Sequence, residues 1–172
     1  MTPDADPLIV SVGFDASAIA CFDRVRRAHF PPELNRIPAH LTLFHHLPGG
    51  RIADVCDAVE DAARRSTFQV TVSGLRKLGR GLALSIDSVD LVEVRARLAY
   101  RFADVLTPQD RQGFRPHVTI QNKVDPQVAA ALHDQLAENF DPWTATVEAL
   151  LLWRYRGGPW EAAGRFDFSR AA

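Results

Sequence analysis

Two stretches of the chain spell the same alternation: Pro38-Ala39-His40-Leu41-Thr42-Leu43-Phe44 and Arg115-Pro116-His117-Val118-Thr119-Ile120-Gln121. On a β-strand successive side chains point to opposite faces. His40 and Thr42 therefore share one face, as do His117 and Thr119, while Leu41, Leu43, Val118 and Ile120 turn the other way. The apolar face predicts a core beneath helices. The polar face predicts a cleft into which an imidazole and a hydroxyl look together.

The flanking segments repeat as well. Leu8-Ile9-Val10-Ser11-Val12 is echoed by Leu82-Ala83-Leu84-Ser85-Ile86, and Thr71-Val72 by Thr146-Val147. Each unit reads strand, helix, His-Thr strand, helix, strand, the first over about 8–75 and the second over about 82–153. One such unit cannot easily bury its sheet alone. An α+β fold is predicted: one domain over 1–172, duplicated internally as two lobes about a pseudo-twofold axis, with two mainly antiparallel sheets, helices outside and a central cleft.

Helical spacing is clear over residues 16–29 (Ile19, Phe22, Val25), after Gly50 (Ile52, Val55, Cys56, Val59, Ala63) and over 89–103 (Leu91, Val94, Leu98, Phe102). Asp125-Pro126 supplies a cap followed by proline at the first helical position. Further strands are read at 68–73, 82–86 and 144–153, with a closing strand near 164–168 after the Gly157-Gly158-Pro159 turn. Gly74 to Gly81 reads as a basic, glycine-punctuated connection, and Pro108 to Gly113 as a polar loop.

A chain of 172 residues that is 47% hydrophobic and 24% charged suits one soluble globular domain. Its start, Met1 to Pro7, is acidic and lacks a basic signal-peptide region, and no apolar run nears the ~20 residues that span a bilayer. The expected location is cytoplasmic, with no membrane partner. Cys21 and Cys56 lie in helical patterns without metal-ligand spacing and are read as packing residues. A formal net charge of −1 argues against tracking a long duplex, which needs many Lys and Arg contacts. A nucleotide or an RNA end fits better, bound by a monomer.

With His40-Leu41-Thr42-Leu43 and His117-Val118-Thr119-Ile120 in matching places of a repeat, the chain resembles the two-histidine (2H) phosphoesterase superfamily. That group includes bacterial RNA ligase-like proteins acting on 2′,5′ linkages and cyclic nucleotide phosphodiesterases; its second motif often follows Arg-Pro, as Arg115-Pro116 does here. The resemblance spans nearly the whole chain. It implies a metal-independent phosphodiesterase that opens 2′,3′-cyclic phosphates or acts on 2′,5′ linkages of RNA-type substrates. By position, His40 and His117 would be the catalytic pair and Thr42 and Thr119 the ligands of phosphate oxygens.

Such chemistry takes a proton from the nucleophile on one side of phosphorus and gives one to the leaving oxygen on the other. Histidine, with an unperturbed pKa near 6.5, serves both roles. Threonine hydroxyls are neutral donors for the charge that gathers on phosphate oxygens. No cofactor or metal is called for, since the carboxylates that hold one are not gathered nearby. Arg115 shares the His117 face as a phosphate ligand, and Phe14, Phe44, Trp153 and Tyr155 are candidates for stacking on a base.

Elsewhere His45 and His46 read as a strand end, His29 and His133 as helix-surface residues, and Arg24, Arg26, Arg27, Arg95, Arg97 and Arg101 as polar helix faces. Arg76 to Arg80 reads as a hairpin that could reach a phosphate. No nucleophile elbow or phosphate-binding P-loop occurs. Two other readings stand beside the enzyme: a non-catalytic module for nucleotides or RNA ends, and a 2H phosphodiesterase for a small non-RNA substrate.

Overall fold

The computed structural model describes residues 5–169; the first four residues of the acidic start lie outside them. Chain order is β1 (Leu8–Phe14), α1 (Ala16–His29), β2 (Thr42–Leu47), α2 (Ile52–Ala62), β3 (Phe68–Lys77), β4 (Leu82–Asp87), α3 (Val89–Arg101), α4 (Pro108–Arg111), β5 (His117–Gln121), α5 (Pro126–Ala137), β6 (Trp143–Arg154) and β7 (Glu161–Asp167). No helix among the described residues is long and apolar enough to cross a membrane.

Every strand pair is antiparallel, and the order across the sheet is β2-β1-β6-β3-β4-β5 with β7 also on β6. The α+β class, the antiparallel pairing and the outer helices are as expected. The two expected sheets, however, run into one. The cause is β6, whose twelve residues are shared: Trp143–Val147 pair with β3, Ala149–Arg154 pair with β7, and β1 lies along its opposite edge. The β3–β6 register centres on Val70 opposite Ala145.

Apolar content decides which strands sit inside. All of β1 is buried, as expected of a strand paired on both edges and covered on both faces. Phe22 of α1, wholly buried, meets Phe14 at 4.9 Å and Trp143 at 5.1 Å between ring centroids. Val55 and Val59 of α2, and Leu91, Val94 and Leu98 of α3, complete the core on their apolar stripes. α1 crosses over β5, so a helix of the first half covers the His-Thr strand of the second.

Two sequence readings change. β3 does not stop before Gly74 but runs on to Lys77, because Gly74 sits where the β3–β4 register shifts and absorbs the irregularity. Arg76 is thus a strand residue, and the connection shrinks to 78–81, closed by Leu78 N–H to Gly81 O at 2.9 Å. The polar loop near Pro108 contains the short helix α4, capped by Thr107.

Asp15 joins the layers: its carboxylate accepts from Ala18 N at 2.9 Å, capping α1, and from Thr146 N of β6 at 2.7 Å. Asp15→Ala loses the cap and orphans a strand amide. It is expected to cost about 2 kcal/mol, read as a lowered urea midpoint with an unchanged m-value.

Candidate active site

Burial follows the alternation that the two motifs predict. Leu41, Leu43, Val118 and Ile120 are 0–2% exposed, whereas His40, Thr42, His117 and Thr119 are half-buried. His40 lies just before β2, in a segment fixed by Ala39 N–H donating to Asp23 of α1 at 2.6 Å. His117 opens β5, steadied by Ile86 N–H on the Pro116 carbonyl at 3.0 Å.

The two imidazoles are held alike. His40 Nδ1 lies 2.9 Å from the Pro38 carbonyl and His117 Nδ1 2.9 Å from the Arg115 carbonyl, each two residues upstream. A carbonyl only accepts, so each Nδ1 carries the proton and each Nε2 keeps its lone pair. Arg76 Nη1 reaches the same Arg115 carbonyl at 3.3 Å and lies 3.3 Å from His117 Nδ1. Two donors converge on one oxygen there, so Arg76 bears on the ring through its charge.

Two adjoining cavities meet at the motif strands. One, of about 320 Å³, is walled by His40, Phe14, Ser11, Trp153 and Trp160. The other, of about 260 Å³, is walled by Thr42, His45, Arg76, Arg115 and His117. His40 and Thr42 are two residues apart and His117 acts electrostatically on His40, so the two hollows lie side by side as an aromatic end and a basic end of the candidate site. Thr119 is half-buried, and its carbonyl accepts from Arg26 Nη1 at 2.9 Å.

Burial and positive neighbours both push the imidazoles toward neutrality. His40 is lowered to about 4, chiefly by desolvation, against the raising effect of the Pro38 carbonyl; Arg26, His45 and His117 add to the lowering. His117 is also lowered, again first by desolvation, with Arg76, His45 and Arg115 contributing and the Arg115 carbonyl opposing.

Of the stacking candidates, Phe14 and Trp153 border the aromatic end, and Trp153 is aimed by its Nε1–H on Ser11 Oγ at 2.8 Å. Phe44 does not reach the cleft. Strict alternation from His40 puts it there, but the β1–β2 register shifts on either side of Val10–Phe44, and Phe44 turns into the core at 0% exposure beneath the Arg95 guanidinium. Tyr155 is 43% exposed and lines neither cavity. It lies beyond the end of β6, past the stretch that walls the cleft.

The sequence reading missed four contributors. Trp160 packs on His40 with ring centroids 4.5 Å apart; its place after Pro159 at a turn was the only hint. Arg26 and Arg95, read as polar helix faces, reach inward. Arg26, 4% exposed, holds Asn35 Oδ1 at 2.8 Å as well as the Thr119 carbonyl, and Arg95 donates to the Leu43 carbonyl at 3.1 Å and to the Asp110 carbonyl. Each helix arginine thus ties itself to the motif strand of the other half. Asp110, 1% exposed, accepts from the amides of His45 and His46, both at 2.9 Å, and from His45 Nδ1 at 3.2 Å. Thr107-Pro108-Gln109-Asp110 carries the spacing of a helix-capping box, the one signal that could have located it. Among the described residues no group of three or more His, Cys, Asp or Glu is arranged to hold a metal ion.

Comparison with known proteins bears on the family and the fold. A family profile described as the 2′-5′ RNA ligase superfamily matches residues 14–159. The fold is similar to that of TT0787 of Thermus thermophilus, with a TM-score of 0.69 at 17% identity, covering 96% of this chain and 100% of that one. It is similar to a phosphoesterase structure with a TM-score of 0.65 at 19% identity, covering 96% and 99%. E. coli LigT complexed with 3′-AMP gives 0.65 at 17% identity, again covering 96% and 99%. Among curated proteins no sequence matches.

His40 gives a pH signature in stability. Its folded pKa of about 4 lies below the unfolded value near 6.5, so between them the unfolded chain binds more protons. Its contribution is whole above 6.5 and is lost as pH falls toward 4, on the order of 3 kcal/mol. His40→Asn, whose amide can keep the bond to Pro38, is expected to flatten that part of the urea-midpoint profile between pH 7 and 4.

Proposed function

The chain belongs to the 2′-5′ RNA ligase superfamily, and from that premise we propose that it hydrolyses cyclic phosphodiesters of RNA-type substrates, a 2′,3′-cyclic phosphate or a 2′,5′ linkage, with His40 as base, His117 as acid and no metal. The matched Nδ1–carbonyl bonds carry this reading: they fix both rings in the same tautomer and leave each Nε2 free for proton transfer. The reading treats the chain as one cytoplasmic domain of two related halves, acting as a monomer.

His40 serves as the base. Held to about 4, it is neutral at physiological pH, and its Nε2 takes a proton from the attacking water. The water oxygen bonds to phosphorus while the P–O bond to ribose breaks. His117, recharged by the bound phosphate, gives its Nε2 proton to the departing ribose oxygen; solvent then returns the proton from one ring to the other. Thr42 and Thr119 donate to the non-bridging oxygens, and Arg115 adds charge at the exposed side. Phe14, Trp153 and Trp160 offer faces for a base, the kind of contact worth ~1–3 kcal/mol per base.

Nucleoside 2′,3′-cyclic phosphates are expected to yield monophosphates in excess EDTA; turnover abolished by chelation contradicts the mechanism. His40→Ala and His117→Ala are each expected to cut kcat by about 10²–10⁴. Absence of turnover in the intact protein, with ligand affinity kept in both variants, identifies a binding module instead. Because both imidazoles are lowered in the empty cleft, kcat/KM is expected to peak on the acid side of about pH 6.5. The alkaline limb of kcat, which reports the anion-bound site, lies higher.

A further inference from the structure

The basic end of the cleft carries more cationic groups than a single scissile phosphate uses. Beyond Thr42 and His117 that cavity runs on to His45, Arg76 and Arg115. Among the described residues that wall it, the one carboxylate is Asp110, and its oxygens are already engaged by two backbone amides and His45 Nδ1. A chain of net charge −1 therefore keeps an uncompensated positive pocket at this place.

His45 is the group aimed into it. The shift in β2 register that buries Phe44 brings His45 round to the wall of the cavity, with its side chain 46% exposed. Asp110, itself 1% exposed, accepts from Nδ1–H, so that a ring protonated on both nitrogens offers Nε2–H to an anion while the carboxylate balances its charge. The Arg115 guanidinium makes no hydrogen bond or ion pair among the described residues, whereas Arg95 behind it is spent on the Leu43 and Asp110 carbonyls.

We infer that this end is a second anion subsite, with His45 as a ligand and Asp110 as its positioning residue, and that the substrate carries a second phosphate within one sugar of the scissile one. The inference rests on the scissile phosphate lying between His40 and His117, as proposed above. It narrows the substrate from cyclic mononucleotides in general to nucleoside cyclic phosphates bearing a 5′-phosphate. That group is either the internucleotide link of an RNA 3′ end or the free 5′-phosphate of a mononucleotide.

Calorimetry of the full chain with adenosine 3′,5′-bisphosphate and with 3′-AMP tests the subsite without turnover. The bisphosphate is expected to bind about tenfold or more tighter, and His45→Ala to bring the ratio close to one, the loss expected when one hydrogen bond to a charged group goes. Equal affinities in the intact chain, or a ratio that His45→Ala leaves unchanged, overturn the inference. If cyclic phosphates prove not to be hydrolysed, the functional reading fails while the binding ratio still decides the subsite. Where hydrolysis occurs, KM for a dinucleotide ending in a 2′,3′-cyclic phosphate is compared with KM for adenosine 5′-phosphate 2′,3′-cyclic phosphate and for the cyclic phosphate alone. A lower KM for the first identifies an RNA end and for the second a mononucleotide, while no difference from the third counts against a second phosphate.

Discussion

The chemistry open to this cleft depends on where two Nδ1–H groups point. In each motif the imidazole bends back to a carbonyl of its own strand, two residues upstream. A carbonyl cannot donate, so the tautomer is fixed without a buried carboxylate. This matters because an Asp partner would raise the basicity of the ring and favour its charged form, whereas a carbonyl orients it at much smaller electrostatic cost. Burial can then hold both rings neutral in the empty site. In the proposed reaction the polarity is left to the substrate, whose negative charge returns a proton to one ring.

Holding those carbonyls in place is a matter of the whole fold. Pro38 and Arg115 belong to loops, which a strand alone does not fix. Asp23 of α1 takes the Ala39 amide and the Ile86 amide of β4 takes the Pro116 carbonyl. Arg26 and Arg95 then bond to the motif strand opposite their own half, so each motif is braced by the other half of the chain. Inward-facing guanidiniums, Arg26 buried and Arg95 half-buried, are tolerated because carbonyl oxygens and aromatic faces meet them: Phe30 lies 4.1 Å below Arg26 and Phe44 4.2 Å below Arg95.

The strands, the main helices and the placement of His40, Thr42 and His117 around a cleft were legible because they follow from period alone. What was not legible depends on departures from period. The register shift in β2 moves Phe44 inward and His45 outward, and nothing in Leu43-Phe44-His45-His46 announces it, since the partner strand is half of the cause. Four residues are too few for α4 to show a helical repeat. Arg26 and Arg95 carry charge, which on a helix ordinarily marks a solvent face; only the strand laid across the helix converts it into a buried brace. Trp160 comes to His40 because β7 folds back on β6, a pairing across a turn whose depth the sequence leaves open.

The electrostatics of the cleft also explain why the chain can be slightly acidic overall and still suit an anion. Several of its carboxylates lie on the outer helices and are paired with arginines, as Asp54 is with Arg51 and Arg101 and Asp90 with Arg65. Such exposed pairs add little to stability, but they neutralise outer charge and leave Arg76 and Arg115 in no ion pair among the described residues. Field lines are concentrated where water is excluded, so Arg26, Arg76 and Arg115 count for more around a half-buried phosphate than the same number of charges outside. A positive wall this close has a cost, since it depresses the imidazoles that must carry a proton. On the proposed reading a bound phosphate relieves that cost, which makes proton uptake and substrate binding one coupled event. On that reading an empty cleft holds both histidines neutral, and a filled one charges one of them.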